Sequence, residues 1–141
     1  MKLNVNNPCP CGSLQKYKKC CKVFHDKIKL PKTAFELMKS RFTAFAVQNA
    51  DYIIFTTHKD NPDFTNDIKS WKADILDFSQ NTNFEKLEIL DFSKEQLTDV
   101  ESYVTFKATL KQNEKDISFI EKSRFLKEDE KWLYVDGQFI N

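Results

Sequence analysis

All four cysteines of this chain fall within thirteen residues, as Cys9-Pro-Cys11 and the adjacent pair Cys20-Cys21. A tetrahedral zinc site needs four ligand atoms, and thiolate sulfurs sit about 2.3 Å from the ion. Two cysteine pairs joined by a short turn meet that demand. Pro8, Pro10 and Gly12 stiffen and bend the first arm, and Lys16, Lys18 and Lys19 lead into the second. The lysines also lower the electrostatic cost of gathering four thiolates. A disulfide pair, a redox dithiol and a chance cluster of thiols are the competing readings. The spacing is not Cys-x-x-Cys, and it favours metal. With four cysteines no coordination position is left for water, so one structural zinc is expected on Cys9, Cys11, Cys20 and Cys21. His25, four residues past Cys21, reads as a surface histidine, with ligation as its alternative.

Charge separates this segment from the rest of the chain. Residues 1–32 hold eight lysines and one acid, a net +7, whereas residues 33–141 carry a net −6. A basic segment of some 30 residues is too small to fold by burial alone. Structural zinc supplies roughly 10–16 kcal/mol in peptides of that size. The expected division is therefore a zinc-stapled knob over 1–30 and a separate domain over 31–141. With only Gly12 and Gly137 available, glycine-rich phosphate-binding loops are excluded. No apolar run approaches the roughly 18 residues of a membrane span. The opening Met-Lys-Leu-Asn-Val-Asn-Asn lacks the apolar stretch of a secretory signal. Clustered cysteines without an export signal point to a reducing compartment, and the expected location is the cytoplasm.

The run NNPCPCGSLQKYKKCC resembles the SEC-C motif, the zinc-binding tail first associated with the bacterial translocation motor SecA. Cys9, Cys11, Cys20 and Cys21 match its ligands, and Gly12, Ser13, Lys16, Tyr17 and Lys18 match its body. One position departs: the motif usually has a second glycine where this chain has Leu14. If that glycine takes a positive φ, Leu14 is strained. The resemblance implies docking on protein partners, with SecB-like chaperones and the ribosome as family-level candidates. Lys16, Lys18, Lys19 and Lys22 are the expected docking residues, suited to an acidic protein face or to phosphates.

After Pro31 the pattern turns helical. Thr33 and Glu36 form a capping box, and Ala34, Leu37, Met38, Phe42, Phe45 and Ala46 recur at helical spacing, predicting a helix over 33–48. Residues 50–57 read as a short second helix. Thr65 is the expected cap of a third, running to Phe78, with Ile68, Trp71, Ile75 and Phe78 on one face. Beyond Asn81 the period becomes two. Strands are predicted over 84–93, 100–111, 117–127 and 131–136, with turns at 112–116 and 128–130 and an end at Asp136-Gly137. Helices followed by an antiparallel meander make an α+β fold, about three helices on one face of a curved sheet.

Two further stretches, LMKSRFTAFAVQNADYIIFTTH (37–58) and EKSRFLKEDEKWLYVDG (121–137), resemble the YchJ-like bacterial family. That family joins SEC-C motifs to a cone-shaped domain of the nuclear-transport-factor-two-like, cystatin-like superfamily. The resemblance implies the cone and no activity. A cone encloses space between sheet and helices, and His58, Trp71 and Glu121 are the polar and aromatic candidates to line it. A carboxylate and a histidine there would serve as acid and base. The competing readings have Glu121 turned outward by a bulge or paired with Arg41 or Arg124, and His58 at a helix end. The leading expectation is a non-enzymatic adaptor or binding protein whose knob docks on a protein or the ribosome. The alternative is a small-molecule binder or small enzyme using the cone. A cavity lined by His58, Trp71 and Glu121 favours the second, and a cone filled by its phenylalanines favours the first. An open sheet face would point to a dimer.

Overall fold

A computed structural model describes residues 3–140. Met1 and Lys2, the start of the stretch that lacks a leader's apolar run, lie outside the described residues. In the knob, a 3-10 turn over Tyr17–Lys19 leads into the short helix α1 (Cys21–His25). The cone follows, with helices α2 (Ala34–Ala46), α3 (Ala50–Phe55) and α4 (Ile68–Gln80). Five strands complete it: β1 (Asn83–Phe92), β2 (Glu101–Gln112), the two-residue β3 (Lys115–Asp116), β4 (Phe119–Glu128) and β5 (Lys131–Ile140). All pairings are antiparallel in the order β1-β2-β4-β5, with β3 also on β2. The α+β class and its three cone helices are as expected.

The helix caps explain the helix starts. Thr33 Oγ1 accepts from Glu36 N at 3.0 Å, and the Glu36 carboxylate returns to Lys32 N at 2.8 Å. For α4 the cap is Asp67, which accepts from Ser70 N at 3.1 Å. Thr65, the expected cap, instead accepts from Asp67 N at 3.1 Å and so orients the capping residue. At the far end of α2, Gln48 takes φ 63° and Asn49 N reaches back to Ala44 O at 2.8 Å, closing the helix in the left-handed manner.

Both tight hairpins place two consecutive residues at positive φ, Asn113-Glu114 and Asp129-Glu130. Two-residue turns of the primed type require this, because their twist matches that of the flanking strands. On β2 the inner row is Ser102, Val104, Phe106, Ala108 and Leu110, all buried. Val100, expected on that row, precedes the strand and is 62% exposed. β5 also runs past its predicted end: Gly137 pairs with Ser123 in mid-strand. A Cβ there would collide with the Glu121 carboxylate. This glycine provides clearance rather than a stop.

Residues 56–58 cover the outer edge of β5. Tyr134 N donates to Thr56 O at 2.9 Å and His58 N donates to Tyr134 O at 2.8 Å. Burial within the cone is divided in two. One cluster joins Leu37, Met38 and Phe42 of α2 to the sheet residues Val104, Phe106 and Phe125, and the other joins Ala44, Tyr52, Ile53, Trp71 and Ile75 of the helices. Among the described residues no helix is long and apolar enough to cross a membrane.

Candidate metal centre and cone cavity

The knob is a loop closed on itself by backbone bonds. Cys9 N donates to Gln15 O at 2.8 Å, Gly12 N to Cys9 O at 3.1 Å and Tyr17 N to Asn7 O at 2.9 Å. Gly12 takes φ 87° and lets the chain turn sharply past Cys11. The consequence is convergence: the sulfurs of Cys9, Cys11, Cys20 and Cys21 all lie within 4.8 Å of one another. A tetrahedron with 2.3 Å metal–sulfur bonds has edges of about 3.8 Å. Cys11 and Cys20 Sγ are 3.6 Å apart. The four residues form no disulfide, and three of them are buried. Their size and donor type fit a metal ion.

Electrostatics favour a cation at this point. Hydrogen bonds from Cys21 and Cys9 hold the Cys11 thiol far below its ordinary range. Cys21 is driven far above it, first by its hydrogen bonds to Cys11 and Cys9 and then by burial, while burial pushes Cys20 up to about 11. The Cys11 thiolate forms easily while those of Cys20 and Cys21 are opposed, an imbalance that a dication at the centre removes. Ser13 Oγ, 3.2 Å from Cys20 Sγ, and Thr43 Oγ1, 3.7 Å from Cys9 Sγ, flank the cluster.

Leu14 does occupy the left-handed region, at φ 70°, and is 89% exposed. The left-handed conformation costs a branched side chain about 1–2 kcal/mol, and here no packing offsets it. Leu14→Gly is therefore expected to stabilise the metal-loaded protein by about 1 kcal/mol, read as a higher Tm. An unchanged or lower Tm would show that the loop is not strained.

His25 corrects the sequence expectation. It is neither at the surface nor a ligand; it is 7% exposed and joins the knob to the cone. Nε2 lies 2.8 Å from Ser40 O, which can only accept, so Nε2 carries the proton. Nδ1 then accepts from Tyr17 OH at 2.7 Å. Burial lowers the His25 pKa, in keeping with this neutral tautomer. Beyond Ser40 the contacts continue. Ser40 Oγ donates to Leu37 O at 2.9 Å and is bonded to Tyr52 OH at 2.7 Å, while the His25 and Tyr52 rings pack 4.7 Å apart. Of the expected docking lysines, Lys16, Lys18 and Lys19 are exposed, and Lys22 is ion-paired with Asp26.

Inside the cone, a cavity of about 570 Å³ separates the two apolar clusters. Its walls are rings that lean on one another edge to face rather than filling the space, as in Phe42–Phe84 and Phe45–Phe78. Trp71 and Glu121 line it. Glu121 is not paired with Arg41 or Arg124; its Oε2 accepts from Ser123 Oγ and, at 2.9 Å, from Tyr134 OH. The bulge in this hairpin falls after Arg124 and leaves Glu121 facing inward.

His58 does not line the cavity, contrary to expectation. It is 2% exposed, with Nδ1 accepting from Asp60 N at 3.0 Å and Nε2 2.7 Å from Glu128 Oε2. Its backbone is fixed by Tyr134, so it pins the loop after α3 to the β4–β5 hairpin. No histidine stands beside Glu121 to form the acid–base pair. What the sequence reading passed over is Arg41 as a cavity residue in its own right. The signal was present: Arg41 falls four residues after Leu37 and three after Met38, on the apolar stripe of α2.

Comparison with known proteins agrees with this architecture. Residues 33–137 match the family model described as YchJ, middle NTF2-like domain, and residues 6–22 match the SEC-C motif. The chain belongs to the YchJ-like family. The UPF0225 protein SG1365 of Sodalis glossinidius is 36% identical over 138 residues, covering 96% of this chain and 86% of that protein. The UPF0225 protein plu2503 of Photorhabdus laumondii is 37% identical over 131 residues, covering 92% and 79%. Among solved structures, RPA3114, a SEC-C motif containing protein from Rhodopseudomonas palustris, shares the fold with a TM-score of 0.81 at 24% identity, covering 96% of this chain and 100% of that one. A SEC-C motif containing protein from Psychrobacter arcticus does so at 0.76 and 24%, covering 97% and 85%. Family membership thus accounts for the joining of knob and cone, while the contents of the cavity are a matter of this chain's own side chains.

Proposed function

We propose that this protein is a non-enzymatic binding protein whose cone holds a small, largely apolar molecule, and whose four cysteines hold one structural zinc. The cavity carries the reading. Phe42, Phe45, Phe78, Phe84, Phe106 and Phe119 all line the cone, yet about 570 Å³ is left open between the sheet and the helices. A concave, mostly apolar space with a few convergent polar groups is the usual form of a small-molecule site. Four soft thiolates at tetrahedral spacing favour zinc and leave no position for catalysis. Reduced thiolates around a metal suit the cytoplasm.

The test uses the neutral fluorophore N-phenyl-1-naphthylamine. Saturable, one-site enhancement of its emission is expected, and it should be lost in Ala108→Phe, which puts a ring into the cavity from the inner face of β2. Circular dichroism on the same variant checks that the fold persists. Absence of saturable binding, or equal binding by the folded variant, would remove the reading.

One observation supports knob docking as a second role: Lys16, Lys18 and Lys19 are exposed beside the metal loop. An acidic protein face or ribosomal RNA suits them, and salt tells the two apart. Each phosphate contact contributes about −0.7 to −0.9 to the log–log slope of affinity against salt. Ribosome docking predicts a steep slope that flattens when the three lysines become glutamine. A shallow slope, with binding lost on chelation, indicates a protein face. No association with ribosomes or protein would leave the knob as a structural staple.

A further inference from the structure

Arg41 brings a positive charge into a cavity lined by aromatic rings, by Glu121 and by three aspartates. It is 6% exposed, and although burial lowers its pKa to about 10 it is cationic at neutral pH. The protein uses only one of its nitrogens. Nη1 donates to Ile53 O at 3.2 Å, Thr56 Oγ1 at 2.8 Å and Thr57 Oγ1 at 3.1 Å. These bonds tie α2 to the end of α3 and hold the guanidinium in place. Its carbon stands 4.7 Å from the centre of the Tyr134 ring. Nε and Nη2 have no acceptor among the described residues. Ser79 Oγ is the one fully enclosed side-chain polar atom without a partner among them. The Nε–Nη2 edge therefore keeps open surface, and Arg41 lines the cavity.

The same molecule shows what that edge of an arginine binds. On the outer face of the sheet, Arg124 grips Asp136 side-on, Nε to Oδ1 and Nη2 to Oδ2, each at 3.1 Å. Two parallel charge-assisted bonds of this kind match the planar fork to a carboxylate. Arg41 offers the identical pair of donors with no carboxylate of the protein on it. Glu121 does not serve, because Ser123 and Tyr134 hold its Oε2. Glu121 is near enough to act on the Arg41 charge but makes no hydrogen bond to the guanidinium, so Nε and Nη2 keep their donors for an anion. The mouth limits which anion. Asp63, Asp67 and Asp74 stand exposed on the cavity rim and oppose a second negative charge there. Polyphosphates and nucleotides are disfavoured on that ground.

We infer that the molecule held in the cone is a small apolar monocarboxylate, its acid group clamped side-on by Nε and Nη2 of Arg41 and its body lying against the aromatic walls. This rests on the proposed binding role of the cavity and names the chemical class of its ligand.

Two probes of matched shape test it on the full zinc-loaded chain: 2-naphthylacetate and the neutral 2-naphthaleneethanol, titrated by calorimetry at constant salt. The carboxylate is expected to bind about tenfold tighter or more, as charge-assisted bonds in a buried site do. Arg41→Lys keeps the charge but loses the planar fork, and it should erase most of that preference while leaving the alcohol's affinity within about twofold. Should Arg41→Lys fail to fold, the wild-type protein still decides. The Arg41 Nε–H resonance should shift with the carboxylate and stay in place with the alcohol. Equal binding of the two probes, or a preference that survives in folded Arg41→Lys, would overturn the inference while leaving the cavity reading intact. Binding of neither probe would remove both.

Discussion

Changing Cys20 and Cys21 together to serine is expected to abolish stoichiometric zinc binding and to unfold the knob, while the cone stays folded. The two serines remove half of a four-thiolate site, and structural zinc carries roughly 10–16 kcal/mol in segments of this size. No other term in residues 3–26 approaches that. The knob's own buried apolar set is little more than the cysteines themselves with Tyr17. The cone has its own cluster of Leu37, Met38, Phe42, Val104, Phe106 and Phe125, and this does not depend on the metal. It still loses cover, since Thr43 and Ser40 of α2 face Cys9 and His25. A lowered Tm for the cone, rather than an unchanged one, is the expected signature. Metal analysis and amide exchange read the two effects separately. Full zinc occupancy in the double variant would show that the cysteines are not the site.

His25→Ala carries the second large effect. It removes the ring that joins Tyr17 OH to Ser40 O and leaves both without their partner beneath the knob. An unsatisfied buried polar group costs about 1–3 kcal/mol, and loss of the buried ring adds a cavity term. A total loss of roughly 3–5 kcal/mol is expected. Because the joint is shared, the variant should also surrender its metal to a competing chelator at lower chelator concentration. A Tm within a degree or two of the parent, with unchanged chelator competition, would show that knob and cone are held together elsewhere.

The contrast between the cysteines and His25 shows what a sequence reveals. Cys9, Cys11, Cys20 and Cys21 are legible because their chemistry is local: spacing and residue type alone bring them to one point. His25 is illegible because its role is made by Ser40, fifteen residues away and on another helix. The same rule separates the two candidates that line the cavity from the one that does not. Trp71 and Glu121 follow from helical and strand periodicity, which fixes their facing. His58 lies in a loop whose direction is set by a backbone bond to Tyr134, and no period reaches it.

Strand order and parity were readable for the same reason, since alternation along 102–110 is a local record of which side is buried. The ends were not. Gly137 reads as a terminator, yet it sits in mid-strand because the Glu121 side chain needs the space. Arg41 is the instructive omission. A charge on an apolar helical stripe is anomalous in sequence, but only the structure shows that Arg41 lines the cavity and that only its Nη1 is hydrogen-bonded among the described residues.

The most direct measurement of the central claim is a methyl spectrum of the zinc-loaded protein, labelled at isoleucine δ1 and methionine ε positions, on addition of N-phenyl-1-naphthylamine. Met38, Ile53 and Ile75 line the cavity, whereas Ile28 and Ile140 are exposed at 72% and 43%. If the cone is the binding site, the shifts at saturation concentrate on Met38, Ile53 and Ile75, and those of Ile28 and Ile140 stay in place. Shifts confined to Ile28 and Ile140, or no saturable shift at any methyl, would contradict it.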